Sequence, residues 1–405
     1  MKRESCLVCG SKKLEKILDL GIHPFADTFI SKSEEFKILP TYSLSCAMCK
    51  GCGHVQTISI TNPLERYNLF DYSYTSSNSK TSRAHWDKFC LFVINKLKLK
   101  RSHVIYEIGS NDGYLLSQFK STLNCEVLGI DASQSMVKIA EQKNIKTECC
   151  VFDEKASLAI VKNYKKCDVV IANNVFNHSD SPLSFLRGVN NMLNEDGHFI
   201  FEVPYWKNTV DSKKVDQIYH EHVSYFTVKS LSTLLEQVGM EINFIDVVDY
   251  HGGSLRVVAS KSSGDRLCLK KFIDQENYLF SSDLYGRLSK ELNEKKINFL
   301  RKILKFKDRG YKIVAIGAAA KGNTLLNYLN LNNTIVDYAT DASKFKQGKK
   351  TPLSNVPIFD DEKMRESEKI CAIVLSWNLS SAIRDKIKLI NPRIEYIDFF
   401  KQETK

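Results

Sequence analysis

Long hydrophobic runs are missing from this sequence. Nowhere among its 405 residues do about 18 apolar residues follow one another, so no segment reads as a membrane-spanning helix. The opening MKRESCLVCG has basic residues but no apolar stretch, so a secretory leader is not expected. Turn formers are scarce: eighteen glycines and eight prolines exclude a collagen-like or low-complexity chain. Concentrated positive charge is missing too. Lys and Arg outnumber Asp and Glu by 58 to 47, but no basic run reaches five residues and no basic–aromatic cluster occurs, which argues against a nucleic-acid partner. The expectation is a cytoplasmic protein of several domains, with no membrane contact and an oligomeric state that the sequence does not fix. Its net charge of +11 suits a phosphorylated small substrate.

Cysteine is plentiful, with twelve in the chain and five within the first 52 residues. In a reducing compartment these are thiols rather than a disulfide framework. Cys6 and Cys9 form one C-x-x-C; Cys46, Cys49 and Cys52 form two overlapping ones. Two such turns close a tetrahedral Cys₄ zinc site, which has no open position and is therefore structural. Gly10 and Gly53 follow Cys9 and Cys52 alike, which favours Cys6, Cys9, Cys49 and Cys52 as the ligands and leaves Cys46 as the alternative. The 39-residue gap between the two halves points to a zinc-ribbon-like module with an inserted loop rather than a finger.

From about Lys80 the pattern becomes α/β. An amphipathic helix precedes an apolar strand at Val104–Ile108, a glycine turn and another helix. Gly109, Asn111 and Gly113 form G-x-N-x-G, with Glu107 just before. Glycine lets backbone come close to a ligand at a strand's carboxyl end. The next strand, CEVLGID, ends in Asp131, and an acidic residue about 20 positions after such a turn suits two ribose hydroxyls. The spacing is not that of dinucleotide folds. The E-x-G-x-x-x-G turn with Asp131 resembles class I S-adenosylmethionine-dependent methyltransferases. Asn174 and His178 follow the fourth strand, at the same edge of the sheet. Tyr219, His220, Glu221, His222 and Tyr225 crowd into DQIYHEHVSYFT. Two histidines flanking a glutamate suit proton transfer, with Glu221 orienting an imidazole. A metal held by adjacent H-E-H residues fits poorly, because neighbours in extended chain point to opposite faces.

Ordered blocks run nearly the length of the chain: CLVCG, CKGCGHVQ, YSYTSS, EIGSNDGYLL, NNVFNH, FEVPY, YHEHVSYF, HGGSLRV, GAAAKGNTLLNY and KQGKKTP. Together they resemble the sugar C-methyltransferase family of bacterial deoxysugar biosynthesis. The resemblance implies methylation of carbon 3 of a nucleotide-linked 4-keto-6-deoxysugar, with thymidine as the family's usual base. It implies that His222 removes the C3 proton, with Tyr219 and Glu221 beside it, and that His178 bonds the developing oxyanion. It places YSYTSS over the site, with Tyr74 catalytic and Tyr72 near substrate. His220 has no motif role. A sugar O-methyltransferase using the same cofactor site is the alternative.

After helical segments, YKIVAIGAAAKGNTLLNYL gives a second strand–turn–helix, and TIVDYATDAS supplies the next strand and Asp341. Gly317, Ala318 and Gly322 leave backbone uncovered at a helix N-terminus beside Lys321, which makes an anion site. The expected ligand is the substrate's diphosphate, with Lys346 and Lys349 assisting and His251 and Arg256 of HGGSLRV facing it. The fold class expected is α/β in three parts: a zinc-ribbon-like module over 1–70, a Rossmann-like class I methyltransferase domain over 71–262, connecting helices over 263–306, and a second Rossmann-like α/β domain over 307–405.

Overall fold

A computed structural model describes residues 2–62, 65–66, 77 and 79–400. Tyr72 and Tyr74 lie outside the described residues. Three sheets organise the chain.

The N-terminal sheet is antiparallel and contains β1 (Leu14–Pro24), β2 (Thr41–Cys49) and β3 (Val55–Thr57). Its fourth strand comes from much further along the chain, and that loan bears directly on the site. The central sheet follows α1 (Lys80–Leu97). It takes β4 (Val104–Ile108), α2 (Tyr114–Leu123), β5 (Glu126–Asp131), α3 (Gln134–Gln142), β6 (Thr147–Cys149), α4 (Glu154–Asn163), β7 (Cys167–Ile171), α5 (Pro182–Met192) and β8 (Leu193–Pro204). A short α6 (Trp206–Asp211) leads to β9 (Ser224–Tyr225), which pairs with β3, as Val55 opposite Tyr225 and Gln56 opposite Ser224. Then α7 (Val228–Glu236) and the hairpin of β10 (Glu241–Val248) and β11 (Ser254–Ser260) complete the central domain. Its strand order is β10-β11-β8-β7-β4-β5-β6. β4 to β8 are parallel, and β11 lies antiparallel against β8.

The alternation of side chains explains why this sheet is covered twice. Val104, Tyr106 and Ile108 enter one apolar core with Leu186, Val189 and Phe201, whereas Ile105 enters the other with Phe89, Val93 and Phe119. A strand buried on both faces reads as a continuous apolar run. The α1 helix meets that second core through Trp86, Phe89, Cys90 and Val93, the i, i+3, i+4, i+7 stripe of a helix packed on one side.

Two helices, α8 (Arg266–Glu276) and the 27-residue α9 (Ser282–Asp308), lead to the last sheet. It holds β12 (Lys312–Ile316), α10 (Ala320–Leu329), β13 (Tyr338–Thr340), β14 (Ile358–Phe359), β15 (Ile370–Val374), α11 (Ser380–Ile390) and β16 (Glu395–Ile397). All pairs in it are parallel, in the order β14-β13-β12-β15-β16. In both parallel sheets the chain starts in the middle, runs to one side and crosses back to the other. That reversal opens a crevice at the carboxyl ends of the two central strands, where open α/β sheets take their ligands. Among the described residues no helix is long and apolar enough to cross a membrane.

Candidate active site

The two crevices face one another across a shared cleft of about 1020 Å³. Its central-domain wall is the turn after β4. Gly109, Asn111 and Gly113 all hold left-handed backbone, with φ of 71°, 50° and 71°, which glycine and asparagine accept most readily. At Gly109 a Cβ would stand 2.9 Å from the Val175 side chain. Asp131, at the end of β5, accepts the N–H of Asn111 on Oδ2 and that of Ser133 on Oδ1, both at 2.8 Å. Each oxygen keeps a further lone pair. Burial raises the Asp131 carboxyl above its usual range.

Several buried polar atoms lining this wall have no partner among the described residues: Glu107 Oε2, Ser110 Oγ, and the side-chain nitrogens of Asn173 and Asn174. Native interiors rarely leave such atoms unpaired. Burial, with Asp112 and Asp131 nearby, raises Glu107 well above the ordinary carboxyl range. A ligand offering hydroxyl, ammonium and carboxylate groups satisfies this donor and acceptor set, and S-adenosylmethionine carries all three. Val151 and Phe152 add apolar surface beside Asp131, as a purine requires.

The second wall comes from residues 217–222. His222 is buried, and its Nδ1 lies 3.0 Å from the Gln217 carbonyl oxygen while its Nε2 lies 2.5 Å from the Tyr219 hydroxyl. An imidazole that donates from Nδ1 to a carbonyl keeps its lone pair on Nε2. Burial first, with His178 and the charged Lys321 beside it, holds the His222 pKa well below its ordinary value, so the ring is neutral. His178 follows β7, and the two rings meet edge to face with centroids 4.9 Å apart. Burial, with Arg66 nearby, lowers His178 to about 3. His220 turns away, packing against Phe25 and Tyr42.

Glu221 does not orient an imidazole as the sequence suggested. Its Oε1 accepts the backbone N–H groups of Ala26 and Asp27, at 2.8 and 3.2 Å, in the loop after β1. Burial raises its pKa to about 7. Arg256 departs from expectation too. It stands opposite Glu202 in the β11–β8 register, so the two side chains share a face. The guanidinium bonds that carboxylate through Nε at 2.7 Å and Nη2 at 2.6 Å, while His85 from α1 takes the other oxygen at 2.7 Å. Arg256 therefore braces the sheet under the cleft and does not line it.

The third wall belongs to the C-terminal domain. Lys321, at the start of α10, opens into the cleft and donates to the His251 carbonyl at 3.1 Å. Gln217 Nε2 donates to the same oxygen. Burial lowers the Lys321 pKa to about 8 against the pull of Asp216. His251 also lines the cleft, at a left-handed φ of 52°. Lys346 lines it as well, but Lys349 does not.

Two positions passed over in the sequence tie the domains together. The indole N–H of Trp377, after β15, donates to the buried carboxylate of Asp216 at 2.5 Å. The same ring covers Gly252 so closely that a Cβ there would fall 2.3 Å from it. Asp216 lies three residues before the YHEHVSYF block, and nothing local marks it as a partner for a residue 161 positions away.

At the far end of the N-terminal module, the Sγ atoms of Cys6, Cys9, Cys49 and Cys52 lie within 4.8 Å of one another. Cys6–Cys52 and Cys9–Cys49 are 3.6 and 3.5 Å apart. A tetrahedron with Zn–S bonds of about 2.3 Å has sulfurs about 3.8 Å apart, so the four fit zinc. The N–H groups of Val8 and Gly51 point to the sulfurs of Cys6 and Cys49 at 3.4 Å. Cys46 stays in the module's apolar core, outside the cluster.

Comparison with known proteins divides the chain in the same order. A family described as "Putative zinc binding domain" matches residues 6–67, "Methyltransferase domain" matches 83–243, and "C-methyltransferase C-terminal domain" matches 249–394. The C-methyltransferase NovU of Streptomyces niveus is 25% identical over 391 residues, covering 95% of this chain and 92% of its own. Among solved structures, magnesium protoporphyrin IX methyltransferase from Synechocystis PCC 6803 with bound S-adenosylmethionine shares 14% identity, covering 44% of this chain and 79% of its own, at a TM-score of 0.35. An S-adenosylmethionine-dependent methyltransferase from Clostridium acetobutylicum ATCC 824 shares 13%, covering 46% and 94%, at a TM-score of 0.34.

Proposed function

Since the chain belongs to the sugar C-methyltransferase family, and is an S-adenosylmethionine-dependent C-methyltransferase with a zinc-binding N-terminal domain, we propose that it methylates carbon 3 of a nucleotide-linked 4-keto-6-deoxysugar, with His222 as general base. The kinship to NovU supports a sugar-nucleotide acceptor. A C–H bond beside a ketone is acidic because the carbonyl takes up the electron pair as an enolate. The observation that carries the reading is the His222 imidazole, neutral and fixed through Nδ1, with Nε2 toward the cleft and Tyr219.

In this reading Nε2 takes the C3 proton and the C–H electron pair moves onto the C4 oxygen. The neutral His178 ring donates to that oxygen. S-adenosylmethionine supplies the electrophilic methyl group, so the new C–C bond forms as the C–S bond breaks. Glu107, Gly109, Asn111, Gly113, Asp131 and Asn174 hold the cofactor, and His251 and Lys321 face the acceptor. Arg256 supports the sheet instead. Tyr72 and Tyr74 keep their place in the proposal only through the family resemblance.

The test follows deuterium at C3 of a 4-keto sugar nucleotide. The wild-type protein with S-adenosylhomocysteine should exchange that deuterium with solvent, and His222→Asn should slow exchange and turnover by about 10²–10⁴ with cofactor affinity unchanged. Undiminished exchange in the variant would refute the base assignment. Product NMR showing an O-methyl group would refute the reaction.

A further inference from the structure

Gln217 ends the short turn Val215–Gln217, just ahead of the base. Its main chain is fully engaged. The N–H donates to the Lys214 carbonyl at 3.1 Å, and its own carbonyl lies 3.0 Å from His222 Nδ1. Its side chain lines the cleft and is only 3% exposed. One end of the amide is fixed there. Nε2 donates to the His251 carbonyl, the oxygen that also accepts Lys321 Nζ at 3.1 Å. Turning the amide over would set oxygen against oxygen, so the hydrogen-bond pattern assigns the nitrogen to that side. Gly252 leaves the space for it, since a Cβ there would stand 3.3 Å from Nε2 and 2.3 Å from the Trp377 ring.

The other end of the amide has no such assignment. Gln217 Oε1 is buried and has no partner among the described residues. Buried acceptors in native proteins are nearly always paired, and this one belongs to a residue lining a ligand cleft. The donor it lacks therefore comes from a ligand. The acceptor's ketone cannot supply it, because a carbonyl oxygen only accepts. A hydroxyl or amino group on the sugar ring can. The residue that presents this oxygen also holds His222 through its main chain, so the group it meets lies near the carbon that loses its proton.

We propose that Gln217 Oε1 accepts a hydrogen bond from a hydroxyl or amino group at carbon 2 or carbon 3 of the acceptor sugar, and so determines which sugar rings the enzyme methylates. The proposal rests on the sugar-nucleotide reading above and adds a specificity that reading lacks. A ring without the donor leaves Oε1 unpaired when it binds and excludes water from it. Such a loss discriminates between substrates more strongly than a missing apolar contact does.

The test compares thymidine diphosphate 4-keto-6-deoxyglucose with its 2-deoxy and 3-deoxy counterparts, by kcat/KM on the full chain with S-adenosylmethionine. In the wild-type protein, loss of one of the two hydroxyls should lower kcat/KM by about tenfold or more. Gln217→Met keeps the length of the side chain and the main-chain carbonyl on His222, and Lys321 still occupies the His251 carbonyl. The quantity read is the penalty for each deletion in wild type divided by that in Gln217→Met. It should be about tenfold or more for one hydroxyl and near unity for the other. Intrinsic differences in acceptor reactivity cancel in this ratio, and so does a general loss of activity in the variant. S-adenosylhomocysteine affinity, by calorimetry, should stay within about twofold in Gln217→Met, which also reports correct folding; a larger loss in folded variant would assign the oxygen to the cofactor and overturn the proposal. Wild-type protein that uses all three acceptors equally, or a ratio near unity for both hydroxyls, would overturn it and leave the sugar-nucleotide reading standing. A wild-type protein that methylates none of the three would remove both.

Discussion

Stripping zinc should loosen the segment that carries His222, although the metal site and the imidazole belong to different domains. The path runs through backbone. Cys49 ends β2, β2 pairs with β3, and β3 pairs with β9, which begins two residues after His222. The Gln56 side chain locks the first cysteine knuckle to β3, accepting the Leu7 N–H at 2.8 Å and donating to the Ser5 carbonyl at 2.9 Å. Structural zinc contributes roughly 10–16 kcal/mol to the folding of small zinc modules, so the metal-free module should lose its order. Residues 221–225 then lose the Thr57 N–H bond to the Val223 carbonyl and the two N–H groups on Glu221. At about 1 kcal/mol for the neutral bond and about 2 for each bond to a carboxylate, the loss is about 5 kcal/mol. That corresponds to between three and four orders of magnitude in the local opening equilibrium, at about 1.4 kcal/mol per decade. Hydrogen exchange read by mass spectrometry on peptides spanning 219–226 should accelerate accordingly, in chelated protein and in Cys9→Ser alike. Turnover should fall with it. Binding of S-adenosylhomocysteine should persist, because its wall is built on the central sheet. Zinc-free protein with unchanged exchange over 219–226 and full turnover would refute this coupling.

Other consequences can be measured directly. Gly109→Ala combines a left-handed φ of 71° with a Cβ 2.9 Å from Val175; it should weaken S-adenosylhomocysteine binding by about tenfold, at a local strain cost of about 1–3 kcal/mol, read by calorimetry. Glu202→Ala leaves Arg256 and His85 without their shared carboxylate and should cost about 3–5 kcal/mol of stability in urea unfolding. Glu221 is raised from an ordinary 4.5 to about 7 in the folded chain, so the folded state holds a proton that the unfolded state releases. Its contribution to stability is complete below about 4.5 and is lost as pH rises to about 7. Urea midpoints across this range should fall with rising pH, and Glu221→Gln should flatten that slope.

Local chemistry was written plainly in the sequence. The run from Val104 to Ile108 becomes β4 with the same bounds, because a strand buried on both faces needs apolar residues at every position. Gly10 and Gly53 pick the right cysteines because each knuckle turns through left-handed backbone, at φ of 71° and 74°. Cys46 fits the spacing equally well, but it lies in the middle of β2, where its side chain faces the core. What stayed hidden was long-range pairing. Nothing near Glu221 reveals that the N–H groups its Oε1 accepts are those of Ala26 and Asp27, 195 and 194 residues away. Arg256 belongs to HGGSLRV, the block that closes the methyltransferase domain, and nothing within that block distinguishes a residue facing substrate from one bracing the sheet. Only the register against β8 shows that it meets Glu202.

The seat of Trp377 on Asp216 and Gly252 determines where this chain can be cut and rejoined. A chimera that takes its C-terminal domain from a relative, with the seam in α9, would separate the indole from the residues shaped to receive it. The host keeps Asp216 and Gly252, so an incoming residue other than tryptophan at 377 would leave the Asp216 carboxylate without the indole N–H and the space over Gly252 unfilled. The unit of exchange is therefore not the domain. A functional hybrid must match 216 and 252 to 377, so a graft meant to change the acceptor has to import two positions of the methyltransferase domain as well.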